Sequence, residues 1–170
     1  MNAHRITRLS IACALTLAAS FAQAQITIDQ NKALAGNITP GDTPGYPITL
    51  SRPGLYKLVG NLSVPAGVDG IQIAADDVTL DMNGFTLSGV VTCTRNDQTR
   101  VVTCSQNGGA GFGIDTSYNG SFNGAVVRDG TVRGFSTGVR GVQGETLLRM
   151  HLTQNAGLPL LARDPRASGT

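Results

Sequence analysis

Val78-Thr79-Leu80-Asp81-Met82-Asn83-Gly84-Phe85-Thr86-Leu87-Ser88-Gly89 alternates apolar and polar residues, breaks at Asn83-Gly84, and then resumes the alternation. That is the pattern of strand, turn and strand. The chain repeats it. Ala125-Val126-Val127-Arg128-Asp129-Gly130-Thr131-Val132-Arg133-Gly134 keeps the same plan, with Leu80 answered by Val127, Asn83-Gly84 by Asp129-Gly130, Leu87 by Val132 and Gly89 by Gly134. A looser third copy follows at Leu148-Arg149, Leu152-Thr153 and Asn155.

A second marker runs beside the first. Glycine followed by a branched apolar residue occurs at Gly70-Ile71, Gly113-Ile114, Gly138-Val139 and Gly157-Leu158, at spacings of 43, 25 and 19 residues by subtraction. The longer spacings contain loops, one from Cys93 to Cys104 and one from Tyr118 to Gly124. Without them a repeat of about 20 residues remains, the range of solenoid proteins. Short strands with glycine and asparagine turns and no helical pattern predict an all-β parallel β-helix. In such a fold equivalent residues stack about 4.8 Å apart and inward positions form aliphatic columns. The expected columns are Leu80, Val127 and Leu148, and Leu87, Val132 and Leu152. An antiparallel β-sandwich also needs many short strands, but it does not predict shared residues at matched positions.

Outward from the repeat, Ile48-Thr49-Leu50, Tyr56-Lys57-Leu58-Val59 and Leu62-Ser63-Val64 read as further strands. They are separated by Pro53-Gly54, Gly60-Asn61 and Pro65-Ala66-Gly67. The divisions are a signal peptide over 1–24, an N-terminal cap segment over 25–46, repeat coils over 47–161 and a polar tail over 162–170. The signal reading rests on Arg5 and Arg8, the apolar run from Ile11 to Ala19, and Ala22-Gln23-Ala24 as a small-x-small cleavage site. The run is too short to span a bilayer comfortably, so an exported chain beginning at Gln25 is expected, secreted or periplasmic, without a membrane span. Within the cap segment a short helix is expected over residues 31–35.

The 170-residue chain is one domain by length, with 22 glycines, 5% aromatic residues and no Trp. That composition favours tight turns around a narrow aliphatic interior. Removing Arg5 and Arg8 leaves 11 basic residues against 11 acidic ones, a mature net charge of zero. Dispersed and balanced charge gives no support for a nucleic-acid partner. Cleavage also removes Cys13 and leaves Cys93 and Cys104, an even pair that reads as a disulfide in an exported chain.

The run from Ile48 to Leu58, then Asn61-Leu62-Ser63-Val64, Gly70-Ile71-Gln72-Ile73 and Val78 to Gly84, resembles the N-terminal coils of exported bacterial right-handed parallel β-helix proteins of the pectin-lyase-like superfamily. The resemblance extends from about Ile48 to Leu158. It implies a fold and not a reaction, because that superfamily holds polysaccharide lyases, glycoside hydrolases, adhesins and proteins without activity. Its members normally stack more coils, so a chain truncated or frameshifted at its C-terminal end is expected. An open last coil would then offer its edge to a second copy.

The lyases in that superfamily use calcium on carboxylates and an arginine base, and the hydrolases use aspartates on adjacent coils. The acids considered for such a role are Asp69, Asp76, Asp77, Asp81, Asp115, Asp129 and Glu145. Asp76-Asp77 and Asp129 read as turn residues. Asp81 faces outward by the alternation, and its expected equivalents in the next copies are Arg128 and Arg149. That column of Asp81, Arg128 and Arg149 is the candidate binding site, with a solvated ion pair as its plainer reading. No acid pair sits on neighbouring copies, His151 stands alone, and Asn37, Asn61 and Asn119 head glycosylation-like triplets that read as turns. Cys93 and Cys104 lack the paired spacing of a zinc site. They read as a staple at the base of a loop that forms one rim of a surface groove.

The sequence therefore predicts an exported structural or carbohydrate-binding surface module with no recognisable catalytic residues, no cofactor and a polysaccharide partner. The alternative is the N-terminal fragment of a polysaccharide lyase or glycoside hydrolase that acts on acidic polysaccharide and, as a lyase, uses calcium.

Overall fold

The computed structural model describes residues 24–105, 111–117, 123–142, 144–157 and 160–163. Expectations for the signal peptide, for Tyr118-Asn119-Gly120-Ser121-Phe122 and for most of the tail lie outside these residues.

The chain is all-β, with one short helix and two large parallel sheets. In order it forms β1 (Ile26–Ile28), α1 (Gln30–Ala35), β2 (Ile48–Leu50), β3 (Gly54–Leu58), β4 (Leu62–Ser63), β5 (Ile71–Ile73), β6 (Val78–Asp81), β7 (Thr86–Ser88), β8 (Cys93–Arg95), β9 (Val102–Cys104), β10 (Phe112–Asp115), β11 (Val126–Arg133), β12 (Thr137–Val142), β13 (Thr146–Thr153) and β14 (Leu160–Arg163). A seven-stranded sheet runs β1-β3-β6-β11-β7-β4, with β13 also on β11, and a five-stranded sheet runs β14-β12-β10-β5-β2. All pairing within both is parallel, which excludes the antiparallel sandwich. Only β8 and β9 pair antiparallel.

Strand β11 explains how one sheet holds two directions. Its first half lies on β6 and its second half on β7. Between them Asp129 adopts φ 61°, as Asn83 does one layer before at 51° and Arg149 one layer after at 51°. A left-handed residue bends the strand sharply, and Asn and Asp tolerate that conformation best. The corner is also fitted sterically. Met82 is fully buried inside it, and a Cβ at Gly130 in the next layer would collide with Met82, so only glycine fits. One corner further on, a Cβ at Gly134 (φ 81°) would stand 2.7 Å from the Gly89 carbonyl.

The core is built of stacked columns. Ile48, Ile71, Ile114 and Val139 align across the five-stranded sheet. Tyr56, Leu80 and Val127 align on one side of the corner, and Leu62, Leu87 and Val132 on the other. Each of these ten side chains is at most 1% exposed. Burial on this scale contributes roughly 1.5 to 3 kcal/mol for each large aliphatic side chain.

Two expectations need correction. Leu148 does not extend the Leu80 and Val127 column: Leu147 aligns with Val127, and Leu148 aligns with Arg128 and is 42% exposed. The third copy has no Asn-Gly or Asp-Gly, and Arg149 itself takes the left-handed corner position. The strand is therefore offset by one residue, which with a period of two exchanges the faces. The Leu152 column stands, because Leu152 aligns with Val132. Of the last glycine marker, Leu158 lies outside the described residues; in the next layer Val139 aligns with Leu160. Finally, the cap segment holds a strand as well as a helix: β1 pairs with β3. The helix begins at Gln30 and is capped by Asp29, whose carboxylate accepts from the Lys32 N–H at 2.8 Å.

Candidate functional site

Outward-facing residues on parallel strands stack in register, so the column of each strand position decides its surface chemistry. One column runs Lys57, Asp81, Arg128 and Leu148. Arg128 Nη2 donates to Asp81 Oδ2 at 2.8 Å, and Arg128 Nη1 stands 3.7 Å from Asp129 Oδ2. Arg149 is not level with Arg128. It sits at the corner and clamps Asp129 with two guanidinium nitrogens, the Nη2 bond measuring 2.8 Å. Asp81, Arg128 and Arg149 are thus brought together, with Asp129 as the middle member. The Arg149 bond and charge hold the half-buried Asp129 carboxyl below the usual carboxylate range.

A second column, Gln72, Asp115 and Arg140, runs along the five-stranded sheet. Asp115 is fully buried. Arg140 Nε donates to its Oδ1 at 3.0 Å, and Arg140 Nη2 donates to Oδ2. Burial alone would raise the Asp115 carboxyl. The hydrogen bonds from Arg140 and Ser117 together with the Arg140 charge outweigh it, so the group lies below its ordinary value. The Arg140 guanidinium also covers the Phe112 ring, 3.6 Å from its centroid. Asp69 joins the same face by accepting from the Phe112 N–H at 2.7 Å and from Gln72 Nε2 at 3.2 Å. Sequence reasoning named Asp115 without giving it a partner, because the intervening loop hides its register with Arg140.

The turn acids behave as their positions require. Asp77 takes φ 53°, and Asp76 Oδ1 accepts from the Asn123 N–H at 2.8 Å. Glu145 lies beside Thr116, which donates to it. His151 is exposed on β13, level with Thr131. Calcium needs several carboxylate oxygens converging on one point. Here arginines lie between Asp81 and Asp129 and against Asp115, so these carboxylates do not fit that ion. Among the described residues no three His, Cys, Asp or Glu side chains converge as a metal site.

The third column is Ser63, Ser88, Arg133 and Thr153. It contains no acid, and Arg133 is exposed with no ion-pair partner among the described residues. Beside it Cys93 and Cys104 are bonded and face each other at the base of the β8–β9 hairpin. Between hairpin and sheet lies a groove of about 310 Å³, lined by Ser88, Thr92, Cys93, Arg133 and Gln154 along the close-packed Gly89 and Gly134 backbones. Cys93, at the base of the hairpin, lines the groove on its hairpin side. Gln154 was not legible, because its place depends on a left-handed turn after β13 (φ 52°).

No protein-family model matches the chain, nor does any curated protein or any solved structure.

Proposed function

We propose that the two parallel sheets are the walls of a right-handed parallel β-helix, and that this exported chain is a structural or carbohydrate-binding surface module. Support for the fold comes from the layer-by-layer register, in which the chain returns to the same sheets in the same direction with aliphatic residue above aliphatic residue. The reading of function rests on one observation. Three carboxylates in the stacked region, Asp81, Asp115 and Asp129, are each bound by an arginine of the following layer.

A carboxylate held below its ordinary pKa by a guanidinium, as Asp115 and Asp129 are, is a poor proton donor and a poor base near neutral pH. These groups hold layers together and leave the groove as the open polar surface. The test is a gel-mobility titration of the purified chain against a panel of soluble polysaccharides, run beside an assay for unsaturated product from polygalacturonate and calcium. Binding without product is the expected result. Product release would overturn the non-catalytic reading, and failure to bind any polymer would remove the carbohydrate-binding one.

A further inference from the structure

The geometry points to the groove between the β8–β9 hairpin and the end of β11 as a site for an oxyanion substituent on a sugar chain, a carboxylate or a sulfate, with Arg133 as its principal ligand. This rests on the carbohydrate-binding reading and names the chemistry of its site.

Four arginines lie on β11, β12 and β13. Arg128 is bound to Asp81, Arg140 to Asp115 and Arg149 to Asp129. Arg133 differs because Ser88 and Thr153 are its neighbours in register, and neither can neutralise it. Its guanidinium makes no hydrogen bond among the described residues, and its donors form the planar fork that suits two oxygens of one oxyanion.

The other lining groups complete the site. Ser88 Oγ already donates to the Leu62 carbonyl at 3.1 Å, and so faces the groove as an acceptor for a sugar hydroxyl. Thr92 Oγ1 and Ser105 Oγ share a hydrogen bond at 3.1 Å on the hairpin side. The Gln154 carboxamide makes no hydrogen bond among the described residues and offers both a donor and an acceptor. The floor passes over the close-packed backbones of Gly89 and Gly134. At about 310 Å³ the groove suits one or two sugar residues and not an extended chain.

The experiment compares wild type, Arg133→Gln and Arg52→Gln by affinity electrophoresis in gels containing polygalacturonate, dextran sulfate or neutral dextran, with the disulfide intact. Arg52→Gln removes an exposed arginine outside the groove and controls for net charge, and thermal unfolding confirms that each variant is folded. We expect retardation by at least one anionic polymer and not by dextran, weakened ten-fold or more by Arg133→Gln and unchanged by Arg52→Gln. Retardation by polygalacturonate alone assigns a carboxylate, and by dextran sulfate alone a sulfate.

Equal retardation by dextran, or equal weakening by both variants, overturns the oxyanion site and leaves carbohydrate binding standing. Retardation by no polymer overturns both.

Discussion

At the scale of single residues, the Asp115–Arg140 pair is the most consequential ionic contact. Removing one partner of a buried pair leaves an uncompensated charge, so Arg140→Met should destabilise the chain by about 3 kcal/mol at neutral pH. The pH dependence has a definite sign. With Arg140 present, the Asp115 carboxyl lies below its unfolded value. Its stabilisation is present above that unfolded value and is lost as pH falls through the folded one. Without Arg140 only the Ser117 hydrogen bonds oppose burial, so the carboxyl lies higher than in the wild type and the variant falls behind it in stability as pH climbs. Urea denaturation across pH should show the two proteins converging in acid, and a constant gap would contradict the assignment. Tyrosine gives a second check. Burial pushes the Tyr46 phenol up to about 12, against a hydrogen bond with Gln30 that lowers it, and burial raises Tyr56 as well. Ultraviolet titration should therefore find these two phenols ionising above the ordinary tyrosine value.

Among the elements, β13 is where local sequence and observed register part. Leu148 is exposed, whereas Leu147 packs against the core. Leu148→Ala should change stability by less than about 0.5 kcal/mol. Leu147→Ala should cost about 1 to 2 kcal/mol, less than a fully buried leucine because its site is half open. The reverse order in chemical denaturation would restore the register read from the copies. The hairpin supplies another prediction. Few backbone bonds close it, among them Asn96 N–H to the Val101 carbonyl and Ser105 N–H to the Thr92 carbonyl. A staple across so short a loop contributes roughly 2 to 3 kcal/mol by restricting the open form. Reduction, or Cys93→Ser with Cys104→Ser, should accelerate tryptic cleavage after exposed Arg95 and Arg100 on the order of ten-fold or more. Mass spectrometry of timed digests measures this, and unchanged rates would mean that the hairpin holds without its disulfide.

For the whole molecule, export is tested by the N-terminal mass of protein recovered outside the cytoplasm, which should begin at Gln25. The all-β class, the corner, the Leu80 to Val127 and Leu87 to Val132 columns and the cysteine pair were legible in the chain. Each depends on a period-two pattern or on a residue type that local backbone geometry selects, and both are properties of a short stretch. The sequence by itself determined which faces are apolar in the first two copies and where the strand bends. Only the tertiary structure decided the register of the third copy, where no Asn-Gly or Asp-Gly marks the corner and an arginine takes the left-handed position. It also decided the partners of the charged residues. Asp115 meets Arg140 and Asp129 meets Arg149 only once the chain has returned to the same sheet one layer later, at a distance set by the loops between. The groove has the same origin: Arg133 is open because its neighbours in the stack are Ser88 and Thr153, and no local pattern records which residues the next layer will bring beside it.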